Sequence, residues 1–117
     1  MTDNAKPAKK MLMVPRHPMP ERSAAERNKD FNEVTLGYTD ATAIEEAGRC
    51  LHCKTPTCVD GCPVKIDIPA FLKEVYNENF PAAAASLAQY TSLPSICGRV
   101  CPQEVQCEQT CVLGKKK

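Results

Sequence analysis

The residues able to do chemistry in this chain are eight cysteines in two groups of four. The first group reads Cys50-x2-Cys53-x4-Cys58-x3-Cys62-Pro63, and the second Cys97-x3-Cys101-Pro102-x4-Cys107-x3-Cys111. Iron–sulfur clusters, zinc sites and disulfides all use thiols at this density. Zinc sites favour paired C-x2-C knuckles, and the second group contains none. A disulfide framework needs an oxidising compartment, and Met1 to Lys10 is polar, without the apolar stretch of a secretory signal. Soft sulfur suits iron and tolerates electron delocalisation, and the prolines after Cys62 and Cys101 point the same way.

The spacing also predicts how the ligands divide. A C-x2-C pair reaches adjacent corners of one cubane, whereas the cysteine closing a C-x3-C-P run ligates the other cluster in two-cluster bacterial ferredoxins. The same logic assigns Cys50, Cys53 and Cys58 to cluster one, with Cys62 crossing to cluster two. In the second group Cys101 and Cys107 belong to cluster two, Cys111 crosses back to cluster one, and Cys97 is the natural fourth ligand of cluster two. His52, inside the C-x2-C knuckle, is expected to face solvent or act behind the ligands. His17, among prolines, has no partner in view. Arg49, Lys54, Lys65 and Arg99 flank the cysteines, either as cations that raise the potential of a cluster or as ordinary surface charge.

Helices are expected to position these thiols. Pro7, Pro15, Pro18 and Pro20 keep residues 1–20 extended or disordered, with Met11–Val14 as a short apolar segment suited to a groove. Glu21–Asn28 is helix-compatible, and Phe31, Val34 and Leu36 form a short apolar run before Gly37. Thr39 or Asp40 can cap a helix with Ile44, Ala47, Gly48 and Leu51 on one face, delivering Cys50 and Cys53 at its end. Asp67 can cap a second helix whose Ile68, Phe71, Leu72, Val75 and Tyr76 make a full apolar stripe. After a turn at Asn77–Asn79, Pro81 opens a third helix with Ala84, Leu87 and Ala88 facing inward, and Pro94 ends this hairpin. Short helical turns are expected at Cys97–Val100 and Glu104–Thr110. No alternating strand pattern of useful length occurs. The fold class is therefore all-α, with a central helical hairpin between the two cysteine groups. It divides into a leader (1–20), a helical domain (21–114) and a tail (115–117).

Size and charge narrow the function. Residues 1–39 offer little core, so roughly 75 residues pack, near the lower limit for an unaided hydrophobic core. Trp is absent, with three Phe and three Tyr, so bound metal is the natural staple. The formal charge of +1 selects no nucleic acid. Two four-iron clusters would move it to roughly −3. No apolar run reaches membrane-spanning length. Eight thiols without a signal segment imply a reducing, cytoplasmic setting. There is no G-x-G-x-x-G, no Walker loop and no Ser/His/Asp constellation. Redox centres without a nucleotide or substrate site make an electron relay. The alternative from another class is a zinc-stabilised module that docks a partner through residues 11–36.

Residues of about 15–114 resemble the N-terminal iron–sulfur domain of the small (beta) subunit of NADPH-dependent glutamate synthase. The same module occurs in dihydropyrimidine dehydrogenase and in the large subunit of electron-bifurcating NADH-dependent ferredoxin:NADP oxidoreductase. The resemblance is carried by Arg49–Leu72 (RCLHCKTPTCVDGCPVKIDIPAFL), Leu93–Lys116 (LPSICGRVCPQEVQCEQTCVLGKK) and the lead-in Asn28–Ala47. It implies an α-helical ferredoxin fold with two [4Fe-4S] clusters. The domain would pass electrons from an FAD that oxidises NADPH towards an FMN in a partner subunit that makes glutamate, or serve another NAD(P)H- or ferredoxin-linked flavoenzyme. The family's nucleotide-binding domains begin soon after the equivalent of Gly114. The chain is thus expected to be an excised or truncated part of an oxidoreductase, lacking the flavin and NADPH sites. Seven cysteines match the family position by position. In some relatives a Gln or Glu side chain replaces one cysteine of cluster two, and in dihydropyrimidine dehydrogenase it lies beyond the second group. The fourth ligand of cluster two thus stays open between Cys97 and such a side chain.

Overall fold

A computed structural model describes residues 14–116. It is helical, and among the described residues there is no strand, only one antiparallel bridge between Glu21 and Thr35. Around that bridge, the Arg22 N–H donates to Val34 O at 2.9 Å and the Leu36 N–H to Pro20 O at 2.8 Å. A paired Arg22–Asp30 contact, both bonds 2.8 Å, closes the loop between them. Helix α1 (Ala24–Arg27) sits in that loop; the Glu26 carboxylate accepts from the Ser23 backbone N–H at 3.2 Å. The run Phe31, Val34, Leu36 forms no core: Phe31 and Leu36 are exposed.

Helix α2 (Asp40–Ala47) is capped by Thr39, whose hydroxyl accepts from the Thr42 N–H. It stops before the first ligand candidate. Cys50 lies in the turn beyond, its N–H donating to Ala47 O at 3.2 Å. Helix α3 (Thr57–Gly61) separates Cys58 from Cys62. Helix α4 (Ile68–Tyr76) is capped by Asp67, which accepts from the Ala70 N–H at 3.1 Å, with Pro69 in the first turn. Glu78, at a φ of 63°, makes the tight turn into α5 (Phe80–Ala88), capped by Asn79.

The core is small. Ala47 of α2, Val75 of α4 and Ala83 of α5 are buried, with Ala43, Phe71, Leu72 and Tyr76 packed around them. The α4 stripe faces inward as its spacing predicts. The α5 phase differs from the expected one: Ala83 and Leu87 turn inward, while Ala84 and Ala88 are exposed. A segment reading Ala82–Ala85 is apolar all round, so the pattern carries no phase; packing on α4 sets it. Pro94 does not close the hairpin, which already ends at Ala88; it opens α6 (Pro94–Val100), where its missing N–H costs nothing. A 3-10 turn (Gln103–Val105) and α7 (Cys107–Thr110) replace the single expected turn at 104–110, and a second 3-10 turn spans Gly114–Lys116. Met11 to Met13 lie outside the described residues.

Candidate iron–sulfur site

The site is built on two very short helices. Cys58 sits within α3 and Cys62 directly after it; Cys107 begins α7 and Cys111 directly follows it. The two helices pack against each other. The Thr57 hydroxyl donates to Thr110 O at 2.5 Å, and the Gly61 backbone lies against Gln106 and Thr110. A Cβ on Gly61 would stand 2.5 Å from Thr110 Oγ1 and 2.7 Å from Gln106 O, so only glycine permits this approach. Residue 57 meets 110 and residue 61 meets 106, so the pair is antiparallel. That direction brings the start of one helix to the end of the other.

The electrostatics of the thiols follow this layout. Burial pushes the Cys50 thiol above its ordinary range, with the neighbouring Cys53 and Cys111 thiols adding to it and a hydrogen bond from the His52 N–H opposing it. Cys58 is pushed up by burial, then by Cys111 and Cys50. Cys101 is pushed up by burial, then by Cys97 and Cys62. Cys107 is raised by burial and, less, by Glu108 and Cys62, against hydrogen bonds from the Glu108 N–H and its own. The thiols thus neighbour one another in two sets that each draw on both sequence groups. All eight are free and partly buried.

A cavity of about 320 Å³ opens beside the first set, lined by Cys50, Cys53, Cys58 and Cys111 and bordered also by Cys107. Its other walls include Arg16, Tyr38, Glu46, Arg49, Ile68 and Leu72. The lead-in segment is tied across this cavity. Arg16 makes two bonds of 3.0 and 3.1 Å to the Glu108 carboxylate, and the Tyr38 hydroxyl donates to His17 O at 2.6 Å. His17, expected to be without a partner, lies between Glu45 (3.1 Å) and Glu46 (3.3 Å). The prolines around it gave no sign of this contact, because Glu46 lies 29 positions further along the chain.

Among the described residues no three His, Cys, Asp or Glu side chains converge on the position of one metal ion. A cubane carries each thiolate on a separate iron, and the Cys50, Cys53, Cys58 and Cys111 thiols beside the cavity are the soft sulfur donors such a cluster takes. His52 is exposed, one of the two placements expected of it, and has a φ of 46°; its backbone N–H reaches Cys50. The flanking cations are largely paired. Arg49 bonds Glu46, Arg99 bonds Glu33 at 2.6 Å, and the Lys65 ammonium reaches Asp60 O at 3.0 Å. Their net influence on the thiols is correspondingly reduced. Thr91, whose hydroxyl lies 3.7 Å from Cys97 Sγ, had no signal in the cysteine spacing; a Thr two residues before Leu-Pro at a helix start is the local pattern that marks it.

Comparison with known proteins agrees with this chemistry. The chain is 43% identical over 97 residues to the glutamate synthase [NADPH] small chain of Azospirillum brasilense, covering 81% of this chain and 20% of that protein. It is 39% identical over 81 residues to the NAD-dependent dihydropyrimidine dehydrogenase subunit PreT of Salmonella typhimurium, covering 69% of this chain and 20% of that one. It is 40% identical over 96 residues to the glutamate synthase [NADPH] small chain of Escherichia coli, with coverage of 81% and 20%. The chain thus spans about a fifth of the length of these curated relatives. Residues 27–117 match the family model described as dihydropyrimidine dehydrogenase domain II, 4Fe-4S cluster. With thiols, helices and relatives in agreement, the chain belongs to this family of 4Fe-4S domains.

Proposed function

We propose that this chain is an electron-transfer domain holding two [4Fe-4S] clusters, which relays electrons between flavin sites of a glutamate-synthase-type NADPH oxidoreductase. The observation that carries the reading is the division of the thiols into two mixed sets. Cys50, Cys53, Cys58 and Cys111 would hold cluster one, and Cys62, Cys97, Cys101 and Cys107 cluster two. When bound, the clusters supply one-electron redox sites. The chain's residues hold those sites, donate backbone N–H groups to the sulfurs and limit water through the Arg16–Glu108 and Tyr38–His17 contacts. FAD, FMN and NADPH belong to the rest of the parent enzyme, including a glutamate synthase large subunit. Free thiols throughout accord with a reducing, cytoplasmic setting; no helix of the described residues is long and apolar enough to cross a membrane.

A second reading rests on the 39% identity to the PreT subunit: the same relay in a dihydropyrimidine-dehydrogenase-type flavoenzyme. Iron and acid-labile sulfide analysis of anaerobically purified protein tests the shared core of both. About eight irons per chain, broad absorbance near ~400 nm and two reducible EPR signals are expected. A colourless protein with two zinc ions would overturn it in favour of the zinc-stabilised docking module. Reduction by the flavoprotein part of each candidate parent enzyme separates the two readings.

A further inference from the structure

We propose that the Thr91 hydroxyl donates a hydrogen bond to the Cys97 sulfur and so raises the reduction potential of cluster two. Thr91 is then a positioning residue acting through Cys97. The proposal rests on the reading above that Cys97 is the fourth ligand of that cluster.

The geometry places the two groups within reach, and the thiolate form of a ligating Cys97 sets the direction of the bond. Thr91 Oγ1 lies 3.7 Å from Cys97 Sγ, and both residues are partly buried. The same oxygen accepts from the Leu93 N–H at 3.1 Å. A hydroxyl has one proton and two lone pairs. With a lone pair engaged by the Leu93 amide, the proton remains for the sulfur. A ligating thiolate can only accept, so the two groups are complementary once Cys97 is deprotonated. The backbone holds both ends in place: the Thr91 N–H donates to Leu87 O at 3.1 Å, and the Cys97 N–H to Leu93 O at 3.0 Å. Thr91 thus links the end of the α4–α5 hairpin to the first turn of α6. Nothing in the chemistry of the helix start requires the sulfur contact, because the Leu93 amide is satisfied without it.

A hydrogen bond to a ligand sulfur withdraws electron density and favours the more negative, reduced state. Thr91→Val keeps the shape and removes the donor, and Thr91→Ser restores it. Redox titration of the fully loaded protein, followed by EPR, reads each cluster separately. Thr91→Val should shift the reduction equilibrium of cluster two about fivefold towards the oxidised state, the effect of one net hydrogen bond. That is a potential lower by about 40 mV, at 59 mV per tenfold for one electron. Cluster one should not move, and Thr91→Ser should return the wild-type value. A loss of the helix cap alone would lower stability without moving the potential of one cluster. Two intact clusters with an unshifted potential in Thr91→Val would overturn the proposal and leave the two-cluster reading standing. A wild-type protein with one cluster would overturn both. If the valine variant fails to load cluster two, Thr91→Ala makes the same measurement with less crowding.

Discussion

At the scale of the residue, the question is which cysteines belong together. The C-x3-C-P run predicts that Cys62 and, in the mirrored group, Cys111 each cross to the other cluster. Cys111 acts on Cys50 and Cys58, while Cys62 acts on Cys101 and Cys107, so neighbours in space are strangers in sequence. Substitution separates the two arrangements. Cys62→Ser should abolish the same EPR signal as Cys101→Ser, and Cys111→Ser the same signal as Cys53→Ser. If Cys62→Ser instead removes the signal lost in Cys53→Ser, each group closes on itself and the crossed assignment is wrong. The backbone is as much a part of the site as the side chains: His52 reaches Cys50 through its N–H while its ring is exposed.

At the scale of the element, the site depends on the close approach of α3 and α7. Gly61→Ala would drive a methyl into the Gln106 carbonyl and Thr110 hydroxyl, neither of which is the far end of a flexible chain. Overpacking of this kind costs about 1–3 kcal/mol. The loaded protein should unfold at lower temperature and carry less iron. Gly98→Ala is the matched control, since nothing lies within 4 Å of a Cβ there; in α6 it should be neutral or stabilising by up to about 1 kcal/mol. The segment across cluster one makes a different prediction. The Arg16–Glu108 pair is solvated, with Arg16 exposed and Glu108 partly so, and Arg16→Ala should cost less than about 1 kcal/mol of stability. It should nonetheless open one wall of the cavity. An iron chelator should then strip cluster one faster than in wild type with cluster two unaffected; equal rates at both clusters would show that the segment shields nothing.

At the scale of the whole molecule, the buried core among the described residues is Ala47, Val75 and Ala83, from α2, α4 and α5. The cysteine-bearing stretches contribute none of them. Their order must come from the α3–α7 contact, a few hydrogen bonds and bound metal, because binding and folding are coupled in domains of this kind. Removal of iron should therefore make residues 49–66 and 94–114 sensitive to limited proteolysis while the α4–α5 hairpin resists. Equal resistance with and without iron would mean that the chain alone holds its shape.

The chemistry, the helical class and the local caps were legible along the chain. Thiols at these spacings admit few cofactors, and a cap such as Asp67 or Thr39 is satisfied three residues away. The amphipathic stripe of α4 was legible for the same reason, since a 3.6-residue period is a local property. The inward face of α5 was not, because a run of alanines is apolar in every direction and only its neighbour chooses a side. The partners of His17, the pairing of Arg99 with Glu33 and the Thr91–Cys97 contact were decided by tertiary structure. So was the antiparallel seating of α3 on α7, which requires two segments some 50 residues apart to meet backbone to backbone at Gly61. Spacing named the thiols and suggested that they cross; the fold alone brings the two groups within reach of each other.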